Sequence, residues 1–275
     1  MSLVSTEWLD KNHSKVKIID SSWHMPNANR NSYEEYKKEH IKNAIFFDID
    51  KFSNKKTELP HMLPDEKEWE KIVSNLGITN EERIIVYDNS DVLSSCRCWY
   101  TFIFFRHKPN LISILDGGLS KWKKENRETT DKTLNHEKKN YKAKKISQLV
   151  KTKEEIDKNI SEKKFQVVDA RSKNRFLGLE KEPRPGIRSG SIKNSYCLPF
   201  GELINPEDKT FLEKNLIKEK FAKIGINKEN NVVFSCGSGI TAAVLSLAYS
   251  MINDKYLPKI YDGSWAEYGL IKYRK

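Results

Sequence analysis

Short apolar runs alternate with longer polar stretches that favour helix, and this alternation predicts most of the fold. In the first half, Val16–Asp20 (VKIID), Ile45–Phe47, Arg83–Tyr87 (RIIVY) and Leu111–Leu115 read as strands. Continuous apolar runs of this length suit strands covered on both faces. Between them, SYEEYKKEH predicts a helix with Ser32 as N-cap and a glutamate three residues on, the pattern of a capping box. Further helices are expected over Glu66–Leu76 and Leu93–Arg106, and a short one runs through Trp122 after the turn Asp116-Gly117-Gly118. Periodicity then disappears from Lys123 to Lys145, so this stretch reads as a linker wrapped along the surface. Beyond it the pattern restarts. Phe165–Asp169 and Val232–Phe234 read as strands, and an apolar helix begins near Ile240 or Thr241.

The restart is a repeat. Leu76-Gly77-Ile78 through Asp88 aligns without gaps on Ile224-Gly225-Ile226 through Cys236, and IKNA at Ile41 matches IKNS at Ile192. IIDSS at Ile18 matches VVDAR at Val167, and Asp116-Gly117-Gly118 with Trp122 matches Asp262-Gly263-Ser264 with Tyr268. The offsets are 148, 151, 149 and 146, which means two copies of one α/β unit. Alternating strands and helices argue for a mainly parallel sheet with helices on both faces in each copy. The expected division is 1–125, a linker over 126–145, and 146–275.

The chemistry gathers where a strand breaks into Cys236-Gly237-Ser238-Gly239 before the apolar helix. A loop feeding a helix N-terminus aims several backbone N–H groups at one point, and the helix dipole favours negative charge there. A cysteine opening such a loop is expected to hold a stabilised thiolate, although a small buried packing residue is the plainer reading of any one cysteine. The first copy has Asp88 at this position, followed by Asn89-Ser90-Asp91, and should be inert. Arginine is scarce, ten against 39 lysines, yet Arg171, Arg175, Arg184 and Arg188 share one 18-residue loop. Arginine holds carboxylates in a fork that lysine cannot form. The loop's Gly178, Pro183, Pro185 and Gly186 argue that it is no helix face, and a surface salt-bridge loop is the alternative. Asp48, Asp50 and His61 follow the second strand. The residues alone leave them as a solvated turn and an ordinary loop histidine.

Composition narrows the classes. The 275 residues suit two domains, and the formal charge of +11 comes mostly from lysines scattered among glutamates. No basic stripe interleaved with aromatics is present, which argues against nucleic acid. Cys96, Cys98, Cys197 and Cys236 form neither metal-ligand spacing nor a disulfide ladder. No apolar stretch is long enough for a membrane span and the first residues lack a signal-peptide core, so the expected setting is the cytoplasm.

Taken together, DSSWHMP (from Asp20), HIKNAIFFDID (His40), HMLP (His61), YD (Tyr87), LDGGLSKW (Leu115), VVDARSKNRFLG (Val167), EPRPGIRSGSI (Glu182), CGSGITA (Cys236) and YDGSWAEY (Tyr261) give the chain a strong likeness. It resembles the tandem-domain rhodanese superfamily and, within it, the 3-mercaptopyruvate sulfurtransferases. That resemblance implies two tandem rhodanese-like domains with only the second catalytic, and Cys236 as the carrier of a persulfide. Arg175 and Arg184 match the arginines that hold the donor's carboxylate and keto group. Ser238 and Asp50 match a proton relay, and His61 a histidine at the substrate end. Gly237, Gly239, Ile240 and Thr241 would line the donor site. The family implies no cofactor or metal, a thiol or thioredoxin-like acceptor (or cyanide), and a monomer or weak dimer. Thiosulfate-preferring members resemble C-R-K-G-x-T at the loop, whereas this chain has the neutral Gly237-Ser238. Thiosulfate sulfurtransfer and a non-catalytic binding module are the alternatives. A cysteine phosphatase is disfavoured because GSGITAA after Cys236 holds no arginine.

Overall fold

The structure is a computed structural model that describes residues 2–271. Its contacts divide the chain into two compact units. One comprises residues 2–54, 63–146 and 206–210, and the other 55–62, 147–205 and 211–271.

In the first unit, β1 (Leu3–Val4), β2 (Lys17–Asp20), β3 (Ala44–Phe46), β4 (Ile84–Tyr87) and β5 (Ile112–Leu115) form a parallel sheet in the order β1-β5-β4-β2-β3. In the second, β6 (Val150–Lys151), β7 (Gln166–Asp169), β8 (Tyr196–Cys197), β9 (Val232–Ser235) and β10 (Ile260–Tyr261) are again all parallel. Their order is β6-β10-β9-β7-β8. Numbered within each copy, both orders are 1-5-4-2-3, so the repeat in the sequence is a repeat in topology. Register agrees as well: Asp20 lies beside Tyr87, and Asp169 beside Ser235.

The apolar runs are continuous because both faces of each central strand are covered. On one face of the first sheet, Ile18, Ile85, Tyr87 and Leu115 pack with Leu9, Tyr36, Leu119 and Trp122 from flanking helices. The alternate positions Ile19, Ile84 and Val86 are buried as well, and Trp69 packs on Phe102 and Phe105 from the flanking helix. The second sheet repeats the plan, with Val167, Val233 and Tyr261 packed against Ile156 and Trp265. Its far side holds Phe234 among Phe221, Tyr249 and Tyr256.

Two local expectations change, and the stretch between the copies gains detail. The helix Ser32–Lys38 is capped by Asn31, whose side chain accepts the Tyr33 and Glu34 N–H groups, so Ser32 is its first residue rather than its cap. The arginine-rich loop contains a five-residue helix, Lys173–Leu177, capped by Ser172 and ended by Gly178 at φ 78°. Residues 126–145 hold one short strand, Thr129–Thr130, and otherwise run mostly exposed along the first unit, tied down at their far end. Tyr141 is buried against Phe102 and His107, and the backbone N–H groups of Tyr141, Ala143 and Lys145 donate to side chains of Ser74, Glu70 and Glu66.

Candidate active site

The site forms at the carboxyl ends of β7, β9 and β10, where loops of a parallel sheet share one crevice. β9 ends at Ser235, the chain turns through Cys236–Gly239, and the helix Ile240–Ile252 begins. Gly239, at φ 83°, caps that helix in a left-handed conformation that strains any residue with a Cβ. The turn carries its N–H back to Cys236 Sγ at 3.1 Å. Cys236 is 2% exposed. One amide of the helix terminus thus already points at the sulfur, at the positive end of a 13-residue helix.

The next loop fixes this one. Trp265 N–H donates to Cys236 O at 2.9 Å, and Ala266 N–H to Gly237 O at 2.8 Å. Cys236 N–H donates to the hydroxyl of Ser264 at 3.1 Å, and that hydroxyl donates to Tyr261 O at 2.8 Å. Ser264 is fully buried at φ 49°, a conformation a serine adopts only at a cost. Sequence reasoning gave Ser264 no role, and its one sign there was that it replaces Gly118 of the first copy.

The four clustered arginines separate into two kinds. Arg171 is buried and binds Asp169 through Nε and Nη2, the latter at 2.7 Å. Its guanidinium lies 4.6 Å from the Trp265 ring, and Arg188 stacks on that ring as well, at 4.4 Å. These two organise the fold of the loop. Arg175 and Arg184 instead reach the cysteine loop: a Cβ on Gly237 would lie 3.2 Å from Arg175 Nη2 and 3.8 Å from Arg184 Nη1. The absence of a side chain at position 237 leaves Arg175 room to approach, while the 3.8 Å to Arg184 is an ordinary contact distance. Glu182, also without an assigned role in the sequence, holds Arg175 at 2.5 Å.

Ser238 is buried and accepts Arg184 Nη2–H at 3.4 Å, while His61 Nδ1 lies 2.9 Å from the same oxygen. An arginine only donates, so the serine hydrogen is left to serve His61 or a reacting group. His61 is buried at φ 60° and belongs to the second unit through the segment 55–62, although it follows a strand of the first. Such backbone strain is typical of functional positions. Asp50 belongs to the first unit, where its carboxylate accepts the Trp23 indole N–H at 2.9 Å. Ile240 is buried and Thr241 half-buried in the first turn of the helix.

The equivalent loop of the first unit is built differently. Leu119 N–H donates to Asp88 O at 3.0 Å, the counterpart of the bond from Trp265 to Cys236. The Asp88 carboxylate then accepts Ser90 and Ser95 N–H at 2.9 and 2.8 Å. Its own side chain fills the amide cradle, and burial pushes its carboxyl above the ordinary range.

Comparison with known proteins agrees with this architecture. A profile of the rhodanese-like domain matches residues 5–125 and 152–270. The chain is 36% identical to thiosulfate/3-mercaptopyruvate sulfurtransferase 1, mitochondrial, of Arabidopsis thaliana, over 97% of this chain and 75% of that protein. It is 34% identical to the 3-mercaptopyruvate sulfurtransferase of Mus musculus, over 97% and 91%. Its structure resembles the crystal structure of the 3-mercaptopyruvate sulfotransferase SseA from Escherichia coli, with a TM-score of 0.87, 29% identity, and coverage of 96% of this chain and 99% of that one. With two profile matches, one topology repeated twice and relatives aligned almost end to end, the chain belongs to the rhodanese-like family and carries two copies of its domain.

Proposed function

We propose that this protein is a sulfurtransferase that takes sulfur from 3-mercaptopyruvate as a persulfide on Cys236 and passes it to a thiol acceptor. The observation that carries the reading is the placement of Arg175 and Arg184 over Gly237, beside a cysteine whose sulfur already accepts a loop N–H.

The donor's carboxylate and keto oxygen bind Arg175 and Arg184, with the thiol sulfur toward Cys236. The Cys236 thiolate attacks that sulfur, an S–S bond forms, and the C–S bond breaks with its electron pair passing to carbon as pyruvate enolate. Ser238, hydrogen-bonded to His61, supplies the proton that converts the enolate to pyruvate. Asp50 joins this relay by resemblance. The outer sulfur of the persulfide, negatively charged, rests among the N–H groups of Gly237, Gly239, Ile240 and Thr241, which act as an oxyanion hole does. A small thiol, a thioredoxin-like protein, or cyanide in an assay then removes it. The scheme uses no metal or organic cofactor.

A neutral loop suits a keto acid better than thiosulfate, because the dianion needs charge beside the sulfur while the carboxylate can use arginines farther off. The name of the Arabidopsis relative includes both donors. Among the described residues no helix is long and apolar enough to cross a membrane. A reducing compartment, the cytoplasm in our reading, and a monomer or weak dimer complete the proposal.

The test is mass spectrometry of the protein after 3-mercaptopyruvate, alongside kcat/KM for both donors on one preparation. One added sulfur on Cys236, pyruvate release and a higher kcat/KM for the keto acid are expected, with none of these in Cys236→Ser. A persulfide in Cys236→Ser, or none in the parent, would overturn the reading.

A further inference from the structure

Arg175 does not reach the cysteine loop as a lone flexible side chain. Its Nε and Nη2 donate to the two oxygens of Glu182, at 3.2 and 2.5 Å. Glu182 Oε1 also accepts Arg171 Nη1–H at 2.7 Å, and Arg171 is bound in turn to Asp169. The Glu182 side chain is 4% exposed, Arg171 1% and Asp169 2%, whereas Arg175 at the outer end is 17% exposed. Asp169 ends β7, so a chain of charge-assisted bonds runs from the sheet to the guanidinium beside Gly237.

A guanidinium has two edges that can grip a carboxylate, a side edge (Nε with one Nη) and an end edge (both Nη). Glu182 occupies the side edge, which leaves the end edge, including the Nη2 nearest Gly237, directed at the loop. Glu182 also offsets charge. Asp169, Arg171, Glu182 and Arg175 together are formally neutral, so the second carboxylate cancels in place the cation that a dianionic donor would otherwise exploit. From this geometry we infer that Glu182 is a positioning and selectivity residue: it fixes the end edge of Arg175 for one donor carboxylate and disfavours dianionic donors. The inference rests on the proposed sulfur transfer and adds to it the group that sets donor choice.

The experiment is a double-mutant cycle. Glu182→Gln and Arg175→Met are made singly and together, and kcat/KM is measured for 3-mercaptopyruvate and thiosulfate, with unfolding monitored for each. Glutamine offers one acceptor oxygen in place of two and carries no charge, so it cannot keep the paired grip on Arg175, and Glu182→Gln is expected to lower the keto-acid to thiosulfate ratio about tenfold or more, chiefly through KM for the keto acid. In the Arg175→Met background the same substitution should leave the ratio within about twofold, since residues acting as one unit are non-additive. A merely structural Glu182 would lower stability in both backgrounds and leave the ratio unmoved, which overturns the inference. So does an equal ratio change in both backgrounds. Should Glu182→Gln fail to fold, Glu182→Asp keeps the charge but shortens the reach. It should lower the ratio in the parent and not in Arg175→Met, and an unchanged ratio in both counts against the inference. If the parent uses neither donor, it is the sulfur-transfer reading that fails, and the persulfide test detects that separately.

Discussion

Replacing Ser264 separates two contributions that the structure places on one residue. Its hydroxyl satisfies the buried N–H of Cys236 and donates to Tyr261 O, while its backbone sits at φ 49°. In Ser264→Ala the hydroxyl is lost and the strain stays. An unsatisfied buried N–H costs about 1–3 kcal/mol and the second bond about 1 kcal/mol, for a total of about 2–4 kcal/mol. In Ser264→Gly the same bonds are lost, but glycine relieves about 1–2 kcal/mol of left-handed backbone strain. The first unit indicates that glycine can adopt this turn, because Gly118 takes φ 55° at the equivalent place. The expected order of stability is therefore parent, then Ser264→Gly, then Ser264→Ala. At about 3 °C per kcal/mol for a unit of this size, the alanine variant should melt about 6–12 °C below the parent and the glycine variant several degrees above the alanine one. Differential scanning calorimetry gives the order, and the rate of persulfide formation from 3-mercaptopyruvate should fall about tenfold in both, because the loop that aims the sulfur is no longer tied down. The reasoning is refuted if alanine is tolerated as well as or better than glycine.

Three further outcomes can be checked. Burial pushes the Cys96 and Cys98 thiols well up, with Asp88 adding to the effect at Cys96, so alkylation at neutral pH should spare both until urea is added; labelling of either in the folded protein would contradict their burial. Burial, opposed by the bonds from Ser22, pushes the Asp20 carboxyl up to about 6. The folded state thus binds this proton more tightly than the unfolded chain, so the contribution of Asp20 to stability falls as pH rises from about 4 through about 6. Asp20→Asn should gain on the parent by about 2 kcal/mol between pH 4.5 and 7, read from urea midpoints at those two pH values; a gap that does not widen with pH is the contrary result. Gly237→Ala would set a Cβ 3.2 Å from Arg175 Nη2 and displace that guanidinium, raising KM for the keto acid about threefold or more with kcat little changed. An unaltered KM would mean that Arg175 does not hold the donor.

The legible parts of this molecule are those whose signal spans several residues. Ile84–Tyr87 and Ile112–Leu115 stand out because both faces of a central parallel strand need apolar side chains. The strands Leu3–Val4, Val150–Lys151 and Ile260–Tyr261 have two residues each, too few for any periodicity to register. The same limit hid Lys173–Leu177, a single helical turn made by a serine cap and a left-handed glycine within a stretch rich in glycine and proline. At the site, composition alone gathered four arginines into one loop. Which of them turn inward depends on Asp169, two residues before Arg171, and on Trp265, a partner distant in sequence on which Arg171 and Arg188 both stack. His61 could be read only as a loop residue, because its contact with Ser238 spans 177 positions and is made by the fold.

The first unit shows what the loop requires chemically. Both copies hold the residue after the fourth strand by the same backbone bond, Leu119 to Asp88 and Trp265 to Cys236. They differ in what the loop amides face. In the first, the Asp88 carboxylate accepts two of them and closes the cradle from within. In the second, a sulfur accepts one, and Gly237 leaves room for the Arg175 guanidinium. A carboxyl group at this point is a built-in acceptor that occupies the cradle, whereas a cysteine sulfur can be ionised, extended by one sulfur and restored. The cradle and its strand order are therefore common property of the fold. What distinguishes the reactive copy is a removable charge, and with it a space into which another anion can come. Restoring a thiol alone, as in Asp88→Cys, should for this reason give no sulfur transfer in the first unit. Its loop has Asn89-Ser90-Asp91 where the second has Gly237-Ser238-Gly239, and Asp91 would add charge of the wrong sign.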